Sequence, residues 1–314
     1  VGESVRARLA SLGLFALLLA LLPATFPNSY YFDVAVNCGI AAIVCVGLNL
    51  LVGYAGQISL GHAAFFGIGA YASAILTGGY GFPPTLALLA GMALSGGLAF
   101  LVARPILVLR GHYLAMATLG LGIIVAIVLN QEVGLTGGPD GMPVEGLSLF
   151  GFRVRGPFAW YAVVAVSLFL VTWLALHLVD SPVGRALRAL HASELAARVC
   201  GVDTVRYKVL VFVLSAVVAS YAGSLFAHHA GWLTPVEADF LRSIQFVTMV
   251  VVGGMASTFG AVFGAVLLTA LPQFLTVFHE YEHVVLGLAL VLTMIFLPRG
   301  LVPGIAERLG RRSL

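Results

Sequence analysis

Apolar residues run almost unbroken along this chain, parted mostly by short polar connections. Ten apolar runs stand out, at 9–26, 34–52, 58–77, 84–103, 113–130, 158–179, 209–229, 244–256, 258–277 and 283–298. A helix needs roughly 20 apolar residues to cross the hydrocarbon core of a bilayer, and most of the runs have that length. The pattern predicts an all-α polytopic membrane protein of about ten transmembrane helices in a single domain, 1–314. Run 244–256 is short and bounded by Gly253-Gly254 and Gly260. It reads as a broken or re-entrant helix, which a membrane tolerates only where protein buries it.

One polar interval is too long for a simple connection. The stretch 180–208 holds Arg185, Arg188, Arg198, Arg206 and Lys208, five of the sixteen Lys and Arg residues. Ser181-Pro182 is a helix start, with serine as N-cap and proline at the first helical position. Ser193 is placed to cap a second helix running through Cys200, and Gly201 to stop it. Asp203 then caps the following span. The interval predicts one or two short helices lying on the cytosolic face, with a solvated, orientation-setting loop as the plainer alternative.

Charge sets the orientation. With a cytosolic N-terminus, thirteen basic residues, at 6–8, 104–110, 185–208 and 299–312, fall inside if 244–277 crosses twice. Arg153, Arg155 and Arg242 are then outside, and both ends are cytosolic, in keeping with the positive-inside rule. The interval 131–157 is an outer loop. The run Leu9–Phe26 follows Arg6 and Arg8 but lacks a small-residue cleavage site, so it reads as a retained first span. Val1 at the start points to a trimmed beginning or an unusual start codon.

Composition agrees. The chain is 61% hydrophobic and 9% charged, against about a quarter charged in soluble domains. A net charge of +3, dispersed by topology, excludes a nucleic-acid groove; the partner surface is lipid. Cys38 and Cys45 lie two turns apart on one predicted helix, about 10 Å, too far to bridge. All thirteen Asp and Glu residues fall in loops or near span ends, which argues against an ion-coupled carrier, since such carriers keep a carboxylate in the bilayer. Tyr207 precedes the sole lysine, Lys208, where a phosphate loop requires glycine. Active transport would therefore need an outside ATPase.

Asn49, Gln57, Ser59 and His62 are polar groups clustered where two spans meet. Gly53, Gly56 and Gly61 break the helix between them and free backbone groups for a zwitterion. Lining of a solute pathway and interhelical hydrogen bonding are both open readings. Gly67-Ile-Gly69, Gly120-Leu-Gly122 and Gly260-Ala-Val-Phe-Gly264 suit close helix packing in lipid.

Several longer segments point to one family. Gly47-Leu-Asn-Leu-Leu-Val-Gly-Tyr-Ala-Gly-Gln-Ile-Ser-Leu-Gly-His-Ala-Ala-Phe-Phe-Gly-Ile-Gly-Ala-Tyr71, Arg110-Gly-His-Tyr-Leu-Ala-Met-Ala-Thr-Leu-Gly120, Leu135-Thr-Gly-Gly-Pro-Asp-Gly-Met142 and Pro298-Arg-Gly-Leu301 together resemble LivM-type permeases for branched-chain amino acids. Glu194-x-Ala196-Ala197-x-x-x-Gly201 resembles the glutamate-alanine-alanine loop through which ABC importer permeases engage their ATPase, without its leucine-proline ending. Gly254-Met-Ala-Ser-Thr-Phe-Gly260 departs from the family's usual glycine-serine spacing. The resemblance implies an inner-membrane permease subunit with two ATP-binding cassette subunits, a second related permease and a periplasmic binding protein. It implies no cofactor and no metal. Arg185, Arg188, Glu194, Ala196, Ala197 and Gly201 would couple to the ATPase. Thr136, Gly137, Gly138 and Asp140 would meet the binding protein, although Pro139-Asp140-Gly141 is also a good turn. Urea and short amides are alternative solutes within the family.

His279-Glu280-Tyr281-Glu282-His283 matches the zinc-protease pattern. It falls at an expected connection between spans, where an interfacial charged turn is the plainer reading.

Overall fold

A computed structural model of the protein describes residues 2–107, 109, 111–149, 151–274, 287, 291, 300–302 and 304. Helices α1 (Gly2–Leu21), α2 (Ser29–Asn49), α3 (His62–Gly78), α4 (Pro84–Leu107) and α5 (His112–Gln131) come first. A single turn, α6 (Val133–Thr136), leads through a mostly irregular segment to α7 (Pro157–Asp180). Then follow α8 (Pro182–Ala192), α9 (Glu194–Val199), α10 (Thr204–Ala230), α11 (Phe240–Gly253) and α12 (Thr258–Phe274). The described residues of nine of the ten apolar runs thus lie mostly on helices. The tenth, 283–298, lies largely outside the described residues, as does the His279–His283 pattern.

Among the described residues, five helices are long and apolar enough to cross a membrane: α2 with its continuation to Tyr54, α4, α5, α7 and α10. This is a multi-pass helical membrane protein. Helix α2 runs through its centre, in contact with α7, α10, α11 and α12, and every residue from Cys38 to Tyr54 is buried. Helix α10 packs against α3 and α4. Contact in lipid depends on close approach of backbones, and glycines supply it here. A Cβ on Gly69 would collide with the Ser220 carbonyl, and one on Gly223 with the Phe66 carbonyl. Gly120, read from sequence as a packing glycine, instead has nothing within 4 Å of a Cβ position among the described residues.

Two boundaries differ from expectation. The third run was expected to be helical from residue 58, but 55–61 is irregular and α3 starts at His62. Gly56 has φ +66° there, a left-handed conformation that interrupts a helix. Helix α11 begins earlier than its apolar run, at Phe240, because Asp239 caps it by accepting from the Phe240 N–H at 2.7 Å. At 14 residues, α11 is about 21 Å long, short of the roughly 30 Å hydrocarbon core. It forms an antiparallel hairpin with α12: Gly253 faces Gly260, and Gly264 faces the Met249 carbonyl. The elbow between them carries Ala256 at φ 59°.

On one side of the bundle, β1 (Met142–Pro143) pairs antiparallel with β4 (Trp232–Leu233). This ties the segment between α6 and α7 to the α10–α11 connection. A second ribbon pairs β2 (Ser148–Leu149) with β3 (Phe152–Arg153) just before α7.

Candidate functional site

The start of α3 is a junction of five helices. Its N-terminal residue before the first turn is Gly61, which offers no side-chain cap. One free backbone donor of this helix end, and the N–H of Leu60 just before it, are satisfied from other helices. The Leu60 N–H donates to Thr118 Oγ1 of α5 at 3.0 Å, and the Ala63 N–H to Ser243 Oγ of α11 at 3.0 Å. His62 is fully buried and bridges Ser59 Oγ (3.0 Å from Nδ1) to Ser215 Oγ of α10 (2.7 Å from Nε2). Asn49, at the end of α2, accepts from the Ala256 N–H at 3.0 Å. Gln57 is buried, and among the described residues its carboxamide has no partner. The structure therefore joins Ser59 and His62 directly and places Asn49 on the α11–α12 elbow. Thr118, Ser215 and Ser243 complete the junction. Sequence reading missed them as partners, although Thr118 sits within the Arg110–Gly120 segment.

A cavity of about 400 Å³ opens nearby between α2, α11 and α12. None of Asn49, Gln57, Ser59 and His62 lines it. Its polar fringe is Asn37, Arg242, Gln245, Thr248, Thr269 and Gln273; its apolar wall includes Ile40, Phe66, Phe226, Phe246, Met249 and Leu268. Phe66 stacks obliquely between Phe226 and Phe246, with ring centroids 5.5 and 5.7 Å away. Arg242 donates to Gln245 Oε1 at 3.2 Å and lies 3.2 Å from Glu237 Oε2. No local sequence signal marks this set, which five helices contribute.

The polar interval 180–208 folds as two helices. Ser181 Oγ accepts from the Val183 and Gly184 N–H groups, Ser193 Oγ from Ala196 N–H, and Asp203 Oδ1 from Arg206 N–H. Gly201, at φ +81°, ends α9. Helix α8 is strongly amphipathic: Gly184, Ala186, Leu187 and Leu190 are buried, while Arg185 and Arg188 are exposed. Its His191 ring rests against Gly56 of the irregular 55–61 segment.

Within α9, the residues singled out from sequence separate. Ala196 is exposed, but Ala197 is buried, because the helix turns that position toward the bundle. Glu194 is engaged within the chain, 2.7 Å from Arg198 and 2.9 Å from Lys208 of α10. The outward face instead carries Leu195 and Val199, 75% and 82% exposed.

On the opposite side, Thr136 is buried inside its own turn, donating to the Leu129 carbonyl and accepting from the Gly138 N–H. Gly138 is buried and Gly137 partly so, leaving Asp140 as the exposed member of that group. The Asp140 carbonyl accepts from Trp232 Nε1 at 3.2 Å.

A family model described as branched-chain amino acid transport system / permease component matches residues 30–294. The chain is 36% identical to the high-affinity branched-chain amino acid transport system permease protein LivM of Salmonella typhimurium strain LT2, over 90% of this chain and 72% of that protein. It is 24% identical to the permease protein LivH of the same kind of system in Escherichia coli K12, over 83% of this chain and 90% of that protein. The ribose import permease protein RbsC of Escherichia coli K12 is 26% identical, over 91% of both. No solved structure gives a significant match.

Proposed function

The chain belongs to the family of permease components of branched-chain amino acid transport systems, and on that premise we propose that it carries branched-chain amino acids into a bacterial cytoplasm by ATP-driven alternating access. It is one membrane subunit of an importer completed by a second, related permease, two ATP-binding cassette subunits and a periplasmic binding protein. Ten crossings, with both ends in the cytosol, place thirteen basic residues inside. The α8–α9 element is then cytosolic, and the outer segment around Asp140 faces the binding protein.

The observation that carries this reading is the α8–α9 element. In a chain otherwise fitted to lipid, it holds Leu195 and Val199 out from the protein, with Arg185 and Arg188 exposed beside them. Exposed apolar residues next to charge on a rigid element fit a soluble partner. Pressure on that element has a direct route inward, because His191 leans on Gly56 and the 55–61 segment leads into the His62 junction. The polar junction residues Asn49, Gln57, Ser59 and His62 lie where a conformational change would be felt.

The test is purification of this chain from its native membrane, followed by reconstitution of what accompanies it into liposomes. Copurified ATPase and ATP-dependent leucine uptake support the proposal. A chain that is reproducibly alone and moves leucine down an ion gradient overturns it.

A further inference from the structure

The cavity between α2, α11 and α12 holds features that the permease reading alone does not use. Resting on that reading, we infer that it is a holding site for a zwitterion. Arg242, on the cavity wall, takes the solute carboxylate; Glu237, which stands behind Arg242 rather than on the wall, takes its ammonium group as the pair opens; and Phe66, Phe246 and Met249 receive its aliphatic side chain.

The Arg242–Glu237 pair is the first support. Nε and Oε2 lie 3.2 Å apart and are shielded from solvent, yet among the described residues neither is aligned in a hydrogen bond. The pair is thus held by charge, without an aligned hydrogen bond between these two atoms, and a solute reaches them only as the pair opens. A carboxylate docking on the guanidinium gains paired, charge-assisted hydrogen bonds, and an ammonium takes up the glutamate. Two ions become four with no net charge, so each charge leaving water finds a partner. A neutral amide or a sugar has no charge with which to replace either member.

Anchoring is the second support. Arg242 stays fixed when its carboxylate partner changes, because it also donates to Gln245 at 3.2 Å and lies over the Phe246 ring, 5.3 Å from the centroid. The third support is shape. About 400 Å³ falls within the roughly 300–1,000 Å³ range of small-molecule sites. Its apolar wall lies beside the charged fringe, matching a solute with one charged end and one hydrocarbon end.

The test uses the whole transporter, purified through this chain and reconstituted in liposomes, and reads radiolabelled leucine taken up per ATP hydrolysed. Arg242→Gln is expected to lower that ratio about tenfold or more, and Arg242→Lys to recover part of it. Glu237→Gln combined with Arg242→Gln stays defective, since the solute needs both charges. A diazirine analogue of leucine is expected to crosslink within 240–249 in the unaltered transporter and to lose that crosslink in Arg242→Gln. Normal uptake by the double variant would make the pair a mere brace and overturn the inference, as would equal loss of uptake and ATP hydrolysis in Arg242→Gln. If the unaltered transporter hydrolyses ATP but takes up no leucine, the proposed function itself fails and this site falls with it. Transport by the unaltered complex with an unaffected Arg242→Gln variant sinks the site alone.

Discussion

Asn49 and Ala256 are 207 positions apart, and the Asn49 carboxamide oxygen accepts the Ala256 N–H at 3.0 Å. The bond fastens the widened last turn of α2, Leu50–Tyr54, to the elbow between α11 and α12. Gly53 lets the two approach, since a Cβ there would collide with Ala256 N and Asn49 Oδ1. Replacing Asn49 with leucine removes the bond to the part-buried Ala256 N–H, a loss of about 1 kcal/mol. Gly53→Ala is expected to cost about 1–3 kcal/mol through overpacking. Both appear as lowered thermal midpoints of the detergent-solubilised protein; an unchanged midpoint in both would contradict the fastening role.

Glu194 and Lys208 join α9 to α10 at 2.9 Å, with the lysine side chain only 8% exposed. Glu194→Gln is expected to destabilise by about 1–3 kcal/mol, because it takes the carboxylate from the nearly buried Lys208 ammonium, and Lys208→Met by less, because Glu194 keeps Arg198 at 2.7 Å. The double variant should lose less than the sum, a coupling that a double-mutant cycle measures directly. Additive losses would mean that the contact contributes nothing.

Glycines in the bundle should divide by what surrounds them. Gly69→Ala and Gly223→Ala push a methyl group into the Ser220 and Phe66 carbonyls, so both variants are expected to accumulate poorly in the membrane. Gly97→Ala and Gly120→Ala meet nothing within 4 Å among the described residues and are expected to accumulate normally. Quantifying the four variants by immunoblot checks the helix contacts without a transport assay.

Gly201 ends α9 at φ +81°, which proline, held near −65°, does not reach. Gly201→Pro is expected to abolish uptake while membrane insertion persists, whereas Gly201→Asn keeps much of it, because asparagine tolerates the left-handed region. Leu195→Glu with Val199→Glu, or Arg188→Glu, is expected to reduce ATPase copurification and uptake by about tenfold or more, matching lost contact at a docking face. Normal copurification in both surface variants would place the ATPase contact elsewhere.

What was legible in the sequence was local. The caps Ser181, Ser193 and Asp203, the stop at Gly201 and the apolar runs are encoded within a turn or a helix length, so reading along the chain found them. Helix rotation was not legible. Lipid and protein interior are both apolar, so a spanning helix carries little contrast between its faces, and sequence does not say which face turns inward. Gly120 meeting no neighbour among the described residues, Ala197 pointing inward and Glu194 reaching Lys208 all depended on that rotation. Sequence alone determined that this is a helical membrane chain with a short polar helical element, because hydropathy and capping are local energies. Only tertiary packing decided that His62 joins Ser59 to Ser215, and that Asn37, Arg242, Gln245 and Thr269 share one cavity, because their approach depends on helices far apart in the chain docking together.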